Sequence, residues 1–171
     1  VNITGNVNIV SPATLTIKPG TYVEFQGHFY IGGNGTIKAI GTQTDSIYFI
    51  INDTTGYHDI ESVNGGWHGL RIYNNSNDTS IISYCKLEYA KGTDGIASYT
   101  TGDMGGAIYC SRANLIISHC LIEHNSSVGT GAICFENNSI LNTNLVTDNI
   151  IRYNKSLNFG AGVYSYFSYP H

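Results

Sequence analysis

The feature that most constrains this chain is its self-similarity. Ser83-Tyr-Cys-Lys-Leu-Glu-Tyr89 returns 35 residues later as Ser118-His-Cys-Leu-Ile-Glu-His124, and again after 29 as Thr147-Asp-Asn-Ile-Ile-Arg-Tyr153. Strand alternation puts Ser83/Ser118/Thr147, Cys85/Cys120/Asn149 and Leu87/Ile122/Ile151 on one face. The other face carries Tyr84/His119/Asp148, Lys86/Leu121/Ile150 and Glu88/Glu123/Arg152. A second strand recurs as Gly106-Ala-Ile-Tyr-Cys110, Gly131-Ala-Ile-Cys-Phe135 and Ala161-Gly-Val-Tyr-Ser165, with Gly69-Leu-Arg-Ile-Tyr73 as a looser earlier copy. In the N-terminal third, Leu15-Thr-Ile17 matches Ile37-Lys-Ala39, and Val23-Glu-Phe25 matches Ile47-Tyr-Phe49.

Short alternating strands at a period of roughly 22 to 30 residues, separated by Gly/Asn turns, are the signature of a solenoid. One coil cannot bury its apolar face alone, so coils stack and equivalent residues form ladders about 4.8 Å apart. The expected fold is all-β, a right-handed parallel β-helix of about seven coils, the hand following from the rule for parallel crossovers. A β-sandwich would need hairpin signals and would show no same-residue columns. Predicted strands lie near 14–17, 22–25, 36–39, 46–50, 69–73, 80–89, 106–110, 115–123, 131–135, 145–152 and 161–165.

Composition agrees. The chain has 171 residues with 18 Asn, 20 Gly, 16 Thr and 22 Ile against 8 Leu and 8 Ala, which favours strands and turns over helices. Charged residues make up 12%, where an average domain has about 25%. Eight Lys and Arg and a net charge of -4 form no basic patch, so nucleic acid is not an expected partner. No apolar run reaches the roughly 18 residues of a membrane helix. Cys85, Cys110, Cys120 and Cys134 fit no metal-ligand spacing, and neither a metal nor a cofactor is expected.

The copies Ser118-His-Cys-Leu-Ile-Glu-His-Asn-Ser126 and Asp148-Asn-Ile-Ile-Arg-Tyr-Asn-Lys-Ser156, each after a Gly-Ala-Ile-Tyr-type strand, resemble repeats of right-handed parallel β-helix proteins of the pectate-lyase-like fold. Leu15 to Phe25, Gly35 to Gly41 and Asp45 to Phe49 resemble the opening coils of secreted bacterial and archaeal members. The resemblance spans nearly the whole chain and implies the fold. It implies little about activity, because the fold hosts lyases, hydrolases, adhesins and surface-layer proteins. The hydrolase motifs Asn-Thr-Asp, Asp-Asp and Gly-His-Gly are missing: Asn142-Thr-Asn144 lacks the Asp, and Gly66-Trp-His-Gly69 puts Trp beside the His.

Glu88 and Glu123 stack in one column, about 5 Å apart, a separation also found between paired glycosidase carboxylates. Arg152 on the next coil and Lys86 beside Glu88 offer ion pairs, so a solvated charged face is the expectation. The six His form no catalytic trio in register, and the Cys85/Cys120 column points inward as reduced core thiols.

Two inserts stand out, at about Ile51–Gly66 and Lys91–Gly105. Both precede the same strand type and should leave the solenoid at one corner, and such insertions often mark a repeat array's binding face. They carry Tyr57, His58, Asp59, Glu61, Asp94, Tyr99 and Asp103, with Trp67 at their base: aromatics to stack on sugar rings and polar groups for hydroxyls. The expected ligand-binding set is Tyr57, His58, Asp59, Trp67, Asp94, Tyr99 and Asp103, with no catalytic residue.

The functional expectation is a non-catalytic structural or adhesive module, extracellular or on the cell surface, contacting a polysaccharide or cell-surface glycan at the insert corner. The competing expectation is a carbohydrate-active enzyme, a lyase or glycoside hydrolase, or a fragment of one. Residues 160–171 begin a coil and stop at Pro170-His171, and Val1 to Ile9 is strand-like and uncharged. Residues 1–171 are therefore expected to be one segment of a longer chain or of a filament, in end-to-end contact with further coils or another protomer.

Overall fold

The computed structural model describes residues 1–75, 77–95, 103–138 and 142–168. The chain is all-β, and its strands, numbered here in chain order, lie parallel in stacked sheets. The first sheet holds β1 (Asn2–Ile3), β4 (Tyr22–Phe25), β7 (Ile47–Ile51), β10 (Cys85–Glu88), β14 (Leu121–Glu123) and β18 (Ile150–Arg152), side by side in that order. The second holds β2 (Val7–Ile9), β5 (Ile31–Gly33), β8 (Leu70–Tyr73), β12 (Ile108–Ser111), β16 (Ile133–Glu136) and β20 (Val163–Tyr166). The third holds β3 (Thr14–Ile17), β6 (Thr36–Ile40), β9 (Thr79–Ser83), β13 (Asn114–Ser118) and β17 (Asn144–Thr147). A fourth, narrow sheet pairs β11 (Lys91–Gly92), β15 (Ser126–Ser127) and β19 (Lys155–Ser156). The chain visits the sheets in rotation, an order compatible with a parallel β-helix.

Register follows the columns read from the repeats. Leu87 pairs with Ile122 and Ile122 with Ile151, and the ladder extends back through Phe49 to Val23. Leu70, Ile108 and Ile133 form a second buried ladder, and Ile82 and Ile117 sit inside the third sheet. All four cysteines are free and buried. Two pairings differ from the sequence reading. Val23 lies beside Phe49 and not Ile47, a shift of two that leaves the same side chains inside and is invisible to alternation. Leu70 lies beside Ile108, one position from the glycine-to-glycine alignment of the two repeats. That slip keeps Leu70 and Ile72 in the core and puts Arg71 on the strand's opposite face, where it too is buried.

The long strands expected at 80–89, 115–123 and 145–152 are each broken in two. The breaks fall at Tyr84, His119 and Asp148, whose φ angles are 50°, 55° and 54°. Among the described residues, ten non-glycine residues have positive φ, and all fall in three columns. The other two columns are Tyr89/His124/Tyr153 and Asn74/Arg112/Asn137/Phe167. A left-handed residue costs an L-amino acid roughly 1–2 kcal/mol, so ten of them require compensation.

At six of the ten corners the following residue supplies it. Its backbone N–H donates to the side chain of the equivalent residue one rung on. Ala90 N donates to Asn125 Oδ1 at 2.9 Å and Asn125 N to Asn154 Oδ1 at 2.9 Å. In the other columns Cys120 N reaches Asn149 Oδ1, Ala113 N reaches Asn138 Oδ1, Asn138 N reaches Ser168 Oγ, and Cys85 N reaches Cys120 Sγ. The carboxamide nitrogens return to the previous rung: Asn125 to Leu87 O, Asn154 to Ile122 O, Asn149 to Ile117 O and Asn138 to Cys110 O.

Two variants test this frame. Ile122→Ala, at a fully buried position, should lower unfolding free energy by roughly 2–5 kcal/mol. A denaturant titration giving less than about 0.5 kcal/mol would place the column at the surface. Asn125→Ala strands the buried Ala90 amide and should cost roughly 1–3 kcal/mol, with faster hydrogen exchange at that amide as its local readout.

Candidate functional site

The first insert is folded around a lysine. Lys91, on β11, is fully buried, and its Nζ donates to the carbonyls of Asn64, Asp59 and Gly56 at 2.6, 2.9 and 3.2 Å. Three carbonyls for three ammonium protons pin the loop, and the Tyr57 ring covers the charge at 5.2 Å. Burial pulls the Lys91 pKa down to about 8. The insert returns to the sheets through Gly66, where a Cβ would stand 2.6 Å from that of Lys91.

This pinning sets Tyr57 against a ladder of corner aromatics. Tyr89 stacks on His124 at 5.7 Å, and His124 on Tyr153 at 5.3 Å. Tyr57 meets Tyr89 edge-on at 5.3 Å, and its hydroxyl donates to His124 O. Burial pushes the Tyr57 hydroxyl up to about 12, so it stays a donor. These rings, with His58, Ile60, Asn125, Ser126 and Lys155, enclose a pocket of about 320 Å³. Tyr153 is 69% exposed, with the Arg152 guanidinium 5.2 Å from its ring.

The residues expected at the site part company here. Tyr57 and His58 line the pocket. Asp59 is exposed and contributes its carbonyl to Lys91 and its carboxylate to the Glu61 amide. Trp67 is a correction. It is wholly buried, stacked on Phe25 at 4.4 Å and beside Phe49 at 5.9 Å, with Nε1 donating to Glu88 O. A covered indole has no face to offer a ligand. Asp103 is also wholly buried and accepts the Asp94 amide, which draws the two ends of the second insert together. Asp94 is exposed, 3.6 Å from His68 Nε2. Tyr99 lies outside the described residues.

The inserts do meet. Thr93 Oγ1 donates to Glu61 O, and His28 bridges their bases with Nδ1 2.8 Å from Gly66 O and Nε2 2.8 Å from Thr93 O. His28 also stacks on His68 at 4.5 Å. The sequence reading did not single out His28, Lys91 or the ladder. Tyr89, His124 and Tyr153 end the three repeated segments in register, which was the available signal. Nothing in the sequence marked His28 or Lys91, whose partners are backbone carbonyls.

The Glu88/Glu123 column is ion-paired. Lys86 Nζ lies 3.1 Å from Glu88 and 3.8 Å from Glu123, and Arg152 Nε donates to Glu123 at 2.7 Å. The Arg152 hydrogen bond holds the Glu123 carboxyl below the usual carboxylate range.

A neutral His28 has one N–H for its two carbonyls. Burial lowers its pKa and outweighs the bonds to Gly66 O and Thr93 O, which raise it, and the Arg71 and Lys91 charges add to the lowering. The unfolded chain therefore takes up this proton first, and His28's contribution falls as pH drops below about 6.5. The stability gap between wild type and His28→Gln, read from melts at pH 7 and pH 5, should narrow on acidification. A widening gap would mean that the folded state favours the doubly protonated ring.

Compared with known proteins, the chain matches no protein family, no curated protein and no solved structure.

Proposed function

We propose that the chain is a right-handed parallel β-helix segment of an extracellular or cell-surface protein, a non-catalytic module that holds a glycan at the insert corner. The observation carrying this reading is the Tyr89–His124–Tyr153 ladder, closed on one side by Tyr57. Stacked rings on successive rungs line the pocket with apolar C–H edges against a sugar's C–H surface, and neighbouring His58 and Lys155 offer groups for its hydroxyls. A 320 Å³ pocket takes one or two sugar rings of a longer polymer. Support for a binding role over a hydrolytic one comes from the lining, which contains no carboxylate, and from Glu88 and Glu123, which are engaged with Lys86 and Arg152. Exposed Ile150, Leu157 and Val163, on and between the last strands, suit contact with further coils or a second copy.

Affinity electrophoresis through gels cast with soluble polysaccharides tests the proposal. Wild type should be retarded by at least one of them, and Tyr153→Ala should weaken that retardation at least tenfold with an unchanged melting temperature. Retardation by none, or a Tyr153→Ala variant that runs as wild type does, would overturn it.

A further inference from the structure

A second concave site lies on the outer face of the second sheet, away from the aromatic ladder. Two outward rows meet there. One runs Arg71, Tyr109, Cys134, Tyr164, and the other Tyr73, Ser111, Glu136, Tyr166. The groove holds about 520 Å³, within the range of small-molecule sites. Its walls are Phe159, Tyr164, Tyr166, Met104 and Cys134, with Glu136 and Asn158 as the polar members. Phe159 and Tyr164 stand 5.2 Å apart at 37°, an open angle between two ring faces.

Glu136 is the single charged residue in that lining. Among the described residues, no Lys, Arg or His nitrogen comes within 4 Å of its carboxylate. Its partner is the Tyr109 hydroxyl, which donates to it and which burial holds well above the ordinary tyrosine pKa, so the donor persists. Arg71, in the neighbouring row, directs Nε to His68 O and Nη1 to Met104 O. The groove thus presents a fixed negative charge framed by π faces and a polarisable thioether.

We propose that this groove binds a small ligand bearing a quaternary ammonium group. A cation held within about 6 Å of aromatic centroids is attracted by their negative faces, and Glu136 supplies the counter-charge. A primary ammonium needs three hydrogen-bond acceptors. The groove's polar groups are the Glu136 carboxylate, the Tyr164 and Tyr166 hydroxyls and the Asn158 carboxamide, whose Nδ2 is directed to Val128 O at 2.6 Å. An alkylated ammonium donates no hydrogen bond, so a wall of rings with one carboxylate meets its full requirement. A neutral ligand of the same shape would leave the Glu136 charge uncompensated in an apolar setting.

The test is an NMR titration of the labelled chain with choline chloride and, in parallel, with the neutral isostere 3,3-dimethyl-1-butanol. Choline should bind saturably, at least tenfold more tightly than the alcohol, with shifts confined to residues around Met104, Cys134–Glu136 and Asn158–Tyr166. Glu136→Gln, which keeps an acceptor for Tyr109, should weaken choline at least tenfold and leave the alcohol unchanged. Phe159→Leu, at an exposed position, should weaken choline alone and guards against a folding defect in the first variant. Equal affinity for the two probes, no saturable choline binding by wild type, or a Glu136→Gln variant that binds as wild type does would overturn the proposal.

Discussion

Everything else in this structure depends on a backbone that turns corners without glycine. Tyr84, Tyr89 and their successors adopt left-handed φ angles that side chains disfavour. The turn is held because the next amide meets an acceptor from the adjoining rung, most often an asparagine side chain. Asparagine suits this place because its carbonyl accepts the amide of one rung while its NH₂ group donates to a carbonyl of that rung's strand. The unusual asparagine content is in part a corner inventory. Strand pairing and the apolar ladders follow once equivalent corners stand above one another.

Much of the fold was legible in the sequence, and the reasons are specific. The Leu87/Ile122/Ile151 ladder could be read because identical offsets recur and strand alternation assigns faces without knowledge of the turn. Alternation survives the corner: Ser83 and Cys85 both face inward, since one left-handed residue between two strands preserves the parity of its neighbours. That parity hid the corner itself, and three broken strands read as continuous. The Val23 register was off by two because a period of two cannot see such a shift. The short β5 was missed, since Ile31-Gly-Gly33 has one side chain of strand character and two glycines.

The site was less legible, because what organises it is backbone. Composition marked the inserts as aromatic and acidic, and this led to Trp67 and Asp103, both of which the structure places inside. The groups that shape the corner are Lys91 and His28, and both address carbonyl oxygens that no residue pattern reveals. Tyr57 reaches the ladder through the loop that Lys91 gathers, so a buried cation on one strand sets the position of an aromatic wall several ångströms away.

The corner bonds also give the stack a direction. At the six corners where this bond forms among the described residues, the amide finds its acceptor forward along the chain, on the rung that follows. A rung copied in tandem brings with it both the acceptor its predecessor requires and an amide that its successor will satisfy. The unit of duplication is then the stretch from one corner to its equivalent, whatever its length: 35 residues in one case and 29 in the next. Chain added between corners bulges outward without disturbing the stack, whereas chain added at a corner severs it. An array of this kind lengthens by repetition and diversifies along its flanks, with the corner asparagines acting as the punctuation that both processes must leave in place.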